Sequence, residues 1–344
     1  MRNHLILDVF FKEEVSACIN LGAAPVSVEA LPRLYGLGAT EASEEALRRF
    51  ARLVEEAQGV PHVLEALDYL AATIAARPFS APLVNTTREI LERIASGGYA
   101  NMKDLKQLID GLVRSVLMKV VEETEETAEI AARRLEDGDV VLTQSYSRSV
   151  VRALEKAAAM GKNIKVIVAE SRPLLDGVET ARTLAKVGIP VTLIVDSAMR
   201  FMMREATRVL LGADAITADG TVIARTGAGI AALAANEARV RVIVVAGTYK
   251  LYPETVYGMT VETPALGDDI VPRELREKGV RGYAPLFEPV PPHLIDALAT
   301  EKGVIAPEAV PLLIKEKYGE WPPRLKPLRE LFAAAREALK KLNA

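Results

Sequence analysis

VVLTQSYSRSVVRAL, residues 140–154, holds three kinds of pattern in fifteen positions. Val140, Val141 and Leu142 form an apolar run. Thr143-Gln144-Ser145-Tyr146-Ser147 is a polar, hydroxyl-bearing stretch. Val150, Val151 and Leu154 then recur at helical spacing. A run of apolar residues without polar alternation reads as a strand buried on both faces, so the stretch reads as strand, turn and helix N-terminus. Similar runs follow in IKVIVA (164–169), PVTLIV (190–195), VLLGA (209–213), TVIA (221–224) and VRVIVVA (240–246), most of them separated by helical patterns. Crossovers of this kind join parallel strands. The predicted fold class is α/β: a Rossmann-like, doubly wound, mainly parallel sheet preceded by a helical domain.

The residues before this stretch read as helices. SEEALRRFARLVEEA from Ser43, VLEALDYLAATIAA from Val63, LVNTTREILERIA from Leu83 and a long segment from Met102 to Leu135 carry helical spacing, with Ser43 as the expected cap of the first. Asp137-Gly138-Asp139 punctuates the end. The expected organisation is a helical domain over 1–136 including a long linking helix, an α/β domain over 137–318 and a helical tail over 319–344. The tail, with EWPPRLKPLRELFAAAREALKKLNA from Glu320, reads as a Pro-marked turn and a basic amphipathic helix. In DGVETARTLAKVG, Asp176 and Glu179 have the spacing of a capping box.

Composition excludes several classes. Half of the 344 residues are apolar, only 5% are aromatic, and the formal net charge is −3, which argues against broad nucleic-acid binding. A single cysteine, Cys18, excludes an internal disulfide and a cysteine-rich zinc site. His4, His62 and His293 lie too far apart for a metal motif, so no metal and no cofactor are expected. The N-terminus breaks into charge too early for a signal peptide, and no stretch reaches the ~20 apolar residues of a membrane span. A soluble, cytoplasmic protein is the expectation.

In doubly wound sheets, ligands bind beyond the carboxyl ends of the strands. Here those ends read Gln144-Ser145-Tyr146-Ser147, Glu170-Ser171-Arg172, Asp196-Ser197, Gly212-Ala213-Asp214, Arg225-Thr226-Gly227 and Gly247-Thr248-Tyr249-Lys250. Hydroxyls and small residues at helix N-termini offer N–H groups to a phosphate, and Arg172 and Lys250 add charge. Each Ser or Asp alone could equally be a helix cap. Gly227-Ala228-Gly229-Ile230-Ala231-Ala232 fits G-x-G-x-x-A between a strand and a helix, but no acidic residue ends the following strand, which runs into Ala246-Gly247-Thr248. Close helix–strand packing is the expected reason for these glycines.

Together these strand ends resemble the translation initiation factor 2B alpha/beta/delta family, which also includes ribose-1,5-bisphosphate isomerase and methylthioribose-1-phosphate isomerase. The resemblance is carried by VVLTQSYSRSVVRAL, by KVIVAESRPLLDGVETARTLAKVGIPVTLIVDSA from Lys165, by LLGADAITADGTVIARTG from Leu210, by GTYKLYPETVYG from Gly247 and by FEPVPPHLIDALATEKGVIAPEAV from Phe287. ARPFSAPLVNTTREI adds Arg77, Pro78, Asn85 and Arg88 in the helical half. By the resemblance, the ligand-binding set is Gly38, Arg77, Asn85, Arg88, Ser145, Tyr146, Ser147, Arg172, Asp214 and Lys250.

The isomerases carry a cysteine where this chain has Ser145, an Arg-Gly-Ala where it has Leu37-Gly38-Ala39, an Asn-Lys where it has Ala224-Arg225, and a Glu where it has Gly247. A hydroxyl of ordinary pKa is a poorer acid or nucleophile than a thiol. The loop is similar to that of the archaeal alpha-like subunits. The expectation is therefore a noncatalytic regulatory protein holding a nucleotide or sugar phosphate, homo-oligomeric with a dimer through its α/β domain, and a partner of the initiation factor 2 alpha subunit. The alternative is a divergent ribose-1,5-bisphosphate isomerase, an aldose–ketose isomerase with Asp214 as acid/base and Ser145 as its catalytic companion.

Overall fold

The computed structural model describes residues 36–257, 265–267 and 270–343; the stretch 1–35, with His4 and Cys18, lies outside the described residues. In chain order the helices α1 (Ala39–Glu56), α2 (Val60–Ala76), α3 (Ala81–Ala95) and α4 (Met102–Arg133) come first. There follow β1 (Val140–Gln144), α5 (Arg148–Ala159), β2 (Lys165–Ala169), α6 (Asp176–Lys186), β3 (Val191–Ile194), α7 (Met199–Met202) and β4 (Arg208–Leu211). The chain continues through β5 (Ala215–Thr217), β6 (Val222–Arg225), α8 (Ala228–Ala238), β7 (Arg241–Val245), β8 (Leu251–Tyr252) and α9 (Arg273–Arg276). It closes with β9 (Phe287–Val290), β10 (Ala297–Thr300), β11 (Gly303–Ile305), α10 (Val310–Tyr318) and α11 (Leu328–Lys340).

The described residues form two compact units, one from those within 36–121 and 324–343, the other from those within 122–323. The division falls inside α4, between Val121 and Glu122, and not at residue 136 as the change of period implied. The tail is no separate element either. Within the helical unit, α1 turns Ala42, Ala46, Leu47, Phe50 and Val54 to the inside, and α11 contributes Leu331, Phe332, Ala335 and Leu339 to the core. Arg336 of α11 pairs with Asp68 of α2, and Arg88 of α3 donates to the carbonyl of Lys326. Ser43 lies inside α1, whose N-cap residue is Gly38; the Ser43 hydroxyl meets Thr86 Oγ1 at 3.3 Å, so its expected capping role does not hold.

In the other unit, seven strands lie in the order β11-β10-β7-β4-β1-β2-β3, all neighbours parallel except β10 and β11. The parallel part has the 3-2-1-4-5-6 order of dinucleotide-binding folds. Alternate residues feed two cores. Leu142, Ile167, Val209, Leu211, Val242 and Val244 face one side with α7, α8 and α10. Val141, Val166, Val168, Leu210, Ile243 and Val245 face the other, with α5 and the α4 residues Ala128, Ala131 and Ala132. This two-sided burial is what the unalternating apolar runs encode. The run 221–224 departs from the expected single sheet: β6 belongs to a second sheet, β8-β5-β6-β9, paired antiparallel with β5 and β9.

Candidate active site

Strand order reverses between β1 and β4, and the crevice beyond their carboxyl ends is the position where such sheets take ligands. From β3 to β7 the consecutive strand ends carry Asp196, Ser171 with Arg172, Ser145, Gly212-Ala213-Asp214 and Thr248-Tyr249-Lys250. A Cβ on Gly212 would lie 2.5 Å from both Cβ and Oγ of Ser147, so the end of β4 rests against the residue that opens α5. Asp214 follows two residues later, buried, its N–H donating to Ile223 O (2.8 Å) where the β5–β6 hairpin begins.

Ser145 is fixed by its backbone. Its φ of 61° lies in the left-handed region, which costs a residue with a Cβ roughly 1–2 kcal/mol. Its N–H donates to Ser171 Oγ (2.6 Å) and its carbonyl accepts from Thr180 Oγ1 (2.6 Å). Ser171 Oγ also lies 3.2 Å from Gln144 Oε1, and Gln144 Nε2 donates to Arg225 O (3.2 Å). These contacts hold the Ser145 main chain while its Oγ, together with Ser147 Oγ and Ser149 Oγ, is buried without a hydrogen-bond partner. A buried hydroxyl left unpaired costs about 1–3 kcal/mol. All three lie in the turn before or the first residues of the twelve-residue α5, whose N-cap Ser147 makes no side-chain cap bond, and helix N–H groups at such an end favour an anion. Ser149 escaped the sequence reading, although its place two residues beyond the hydroxyl loop, in the first turn of α5, was the available signal.

Other strand ends, read from sequence as phosphate cradles, hold the protein's own carboxylates. Asp196 accepts from Ser171 N (2.8 Å) and Arg172 N (2.7 Å). Glu301 accepts from Thr248 N (2.9 Å) and Thr248 Oγ1 (2.5 Å). Glu288 Oε1 accepts from Gly227 N (2.7 Å) and Gly229 N (2.8 Å) at the start of α8. The glycine motif is thus a seat for Glu288, not a device for close helix–strand packing. The proposed capping box also fails: Asp176 is the first residue of α6 but turns to Arg225 Nε (3.3 Å), and Glu179 pairs with Arg182.

The remaining sequence candidates separate by unit. Gly38, Arg77, Asn85 and Arg88 lie in the helical unit; Ser145, Tyr146, Ser147, Arg172, Asp214 and Lys250 lie in the α/β unit. Arg77 is buried and donates to Leu37 O (3.0 Å), while Leu37 packs against Ala42 and Ala76. Tyr146 packs part-buried against the core under α5, which gives its ring a structural use. Arg172 is exposed, and Lys250 is buried with its ammonium 5.7 Å from the Tyr249 ring centre. Tyr249 hydroxyl meets Thr124 Oγ1 at 2.9 Å. Among the described residues no cluster of three or more His, Cys, Asp or Glu has metal-binding geometry, and no helix is long and apolar enough to cross a membrane.

The model of the initiation factor 2 subunit family matches residues 36–307. Ribose 1,5-bisphosphate isomerase of Pyrococcus furiosus is 40% identical over 249 residues, 71% of this chain and 77% of the relative. Further archaeal relatives of that name stand at 34–41% identity. A translation initiation factor eIF-2B subunit 2-like protein of Pyrococcus abyssi is 30% identical over 270 residues, 78% of this chain and 91% of the relative. Among solved structures, the translation initiation factor eIF-2B of Pyrococcus horikoshii superposes with a TM-score of 0.69 at 27% identity, covering 81% of this chain and 96% of that one. These similarities overturn the expectation of a noncatalytic regulator, because identity to the isomerases exceeds that to the initiation-factor-like protein.

Proposed function

The chain belongs to the initiation factor 2 subunit family, and from that premise we propose that it is a sugar-phosphate aldose–ketose isomerase converting ribose 1,5-bisphosphate to ribulose 1,5-bisphosphate. The observation that carries this reading is the trio of unpartnered buried hydroxyls, Ser145, Ser147 and Ser149, at the N-terminus of α5, against the strand end that leads to Asp214. Relatives bearing the isomerase name support the choice of substrate class.

The reaction makes defined demands. The bond from C1 to the ring oxygen breaks, the hydrogen on C2 ends on C1, and the C2 hydroxyl becomes a ketone. The ring oxygen must gain a proton and the C2 hydroxyl must lose one, so a single carboxyl group able to give and take a proton serves both ends. Asp214 is that group in this reading. Ser145 donates or accepts a hydrogen bond at the reacting oxygens, and the α5 N-terminus with Ser147 and Ser149 holds a phosphate; Arg172 and Lys250 supply positive charge beside it. Ser145 standing where the isomerases have cysteine removes a thiol, not the carboxyl that the proton accounting requires.

The test is direct. Purified protein given ribose 1,5-bisphosphate should form ribulose 1,5-bisphosphate, detected by phosphorus NMR, and Asp214→Asn should lower turnover at least ~100-fold while leaving the melting temperature within a few degrees. Absence of product from the folded wild-type protein would refute the reading.

The same proposal includes a homo-oligomer paired through the α/β unit, the partner being a second copy. Edge strand β3 is open on one side, and Leu193 and Val195 on or beside it are exposed, as are Phe201 of α7 and Ile230 and Leu233 of α8. Open strand edges and exposed apolar side chains are commonly covered by a partner, and a two-fold pair covers the same surface on both copies.

A further inference from the structure

Burying an ammonium without a carboxylate beside it is costly, and Lys250, just beyond the end of β7, is such a case. The residue is 3% exposed. Among the described residues no carboxylate pairs with its ammonium. The partner the structure gives it is the Tyr249 ring, whose centre lies 5.7 Å from Nζ. A cation within about 6 Å of an aromatic centre is attracted by the ring's quadrupole, more strongly where water is excluded.

The ring is itself held. Its hydroxyl meets Thr124 Oγ1 of α4 at 2.9 Å, and both side chains are buried. A Cβ on Gly247 would lie 2.6 Å from Tyr249 Cε1 and 2.8 Å from Cδ1, so the missing side chain there is what lets the ring lie against the backbone. The turn that carries the ring is fixed as well: Glu301 accepts from Thr248 N and Oγ1, Lys317 Nζ donates to Thr248 O (3.0 Å), and Lys250 N donates to Gly247 O (2.9 Å). Thr127, one turn further along α4, faces the same place. Its Oγ1 would stand 3.2 Å from that Cβ, and it is buried without a hydrogen-bond partner.

We propose that Thr124 is a positioning residue for phosphate binding: through the Tyr249 hydroxyl it fixes the ring, and the ring sets where the Lys250 ammonium stands. The proposal rests on the reading of the strand-end crevice as a phosphate-ligand site, but not on turnover. It deepens that reading by bringing α4, which supplies none of the strand-end residues, into the machinery that holds the ligand. An aromatic face attracts the ammonium without a full negative charge, so a phosphate meets a cation that no carboxylate has neutralised.

The test uses inorganic phosphate and the full chain. Isothermal titration should show Thr124→Val and Tyr249→Phe each binding phosphate about fivefold more weakly than wild type, and Lys250→Gln at least as weakly. The double variant of Thr124 and Tyr249 should bind within about twofold of either single one, because both break one contact. Thr124→Ser should restore affinity to within about twofold of wild type. Thr127→Val, which removes a hydroxyl that holds no partner, should leave affinity unchanged and so controls for valine on this face of α4. Should Thr124→Val fold poorly by circular dichroism, Tyr249→Phe, which keeps the ring, carries the test. Unchanged affinity in the Tyr249→Phe or Lys250→Gln variant, an equal loss in Thr127→Val, no rescue by Thr124→Ser, or no phosphate binding by wild type would overturn the proposal. A wild-type protein inactive on ribose 1,5-bisphosphate whose variants still follow this pattern would refute the isomerase and leave this inference standing.

Discussion

Glu288 occupies the turn opened by Gly227, its Oε1 2.7 Å from that residue's backbone nitrogen and 2.8 Å from that of Gly229. Gly227 has a φ of 108°, and a Cβ on Gly229 would stand 3.0 Å from Glu288 Oε2. The glycines therefore serve an internal carboxylate where a dinucleotide fold would seat a pyrophosphate. Removing the cap with Glu288→Ala should destabilise the protein by about 1–2 kcal/mol, with Glu288→Gln costing less, measured by urea unfolding. Equal stability of all three forms would show that the carboxylate is no cap.

Ser145 combines a left-handed backbone with a buried, unpartnered hydroxyl. Glycine tolerates that φ and removes the hydroxyl, so Ser145→Gly should raise stability by about 1 kcal/mol after its own entropic cost. Turnover should fall in the same variant. A rise in melting temperature with a drop in kcat is the expected mark of strain kept for function; a loss of stability would show that the turn prefers a side chain.

Acid should loosen the packing of α4 on α5. Arg152 donates two bonds to Glu125 (2.7 and 2.9 Å) and, with Lys156 beside it, holds the Glu125 carboxyl down at about 2, against an ordinary 4.5. A depressed folded-state value means that the stabilisation is fully present above pH ~4.5 and is lost as pH falls toward 2. Because the pair is more than a third exposed, the effect is modest. Circular dichroism across this range should show a shallower acid loss for Glu125→Gln than for wild type.

Ile230 and Leu233 sit one turn apart on α8 and are more than half exposed. If a second copy covers them, Ile230→Glu with Leu233→Glu should shift the molar mass measured by light scattering toward that of one chain, 37.2 kDa, with the fold intact by circular dichroism. Wild type already at that mass at micromolar concentration would contradict the pairing.

The functional expectation failed because a few departures, Ser145 above all with Leu37, Ala224 and Gly247, were weighed above the rest of the chain. Aldose–ketose chemistry requires a proton donor and acceptor first, and in the reading proposed above Asp214 serves as both. The similarity to isomerases is distributed over 249 residues, which a few substitutions do not outweigh.

The sequence alone determined the change from helices to a buried parallel sheet, because residues such as Val166 and Ile167 must be apolar in succession when both faces of a strand are covered. It also located the strand ends, since in a doubly wound sheet those are the sites left open to a ligand. Tertiary structure alone decided which ends remain available. Glu288 lies 61 positions from Gly227, Asp196 lies 25 from Ser171 and Asp176 lies 49 from Arg225, and partners so far apart in sequence leave no local pattern. Only folding brings these carboxylates onto the N–H groups and the guanidinium, leaving the hydroxyls of Ser145, Ser147 and Ser149 unpaired.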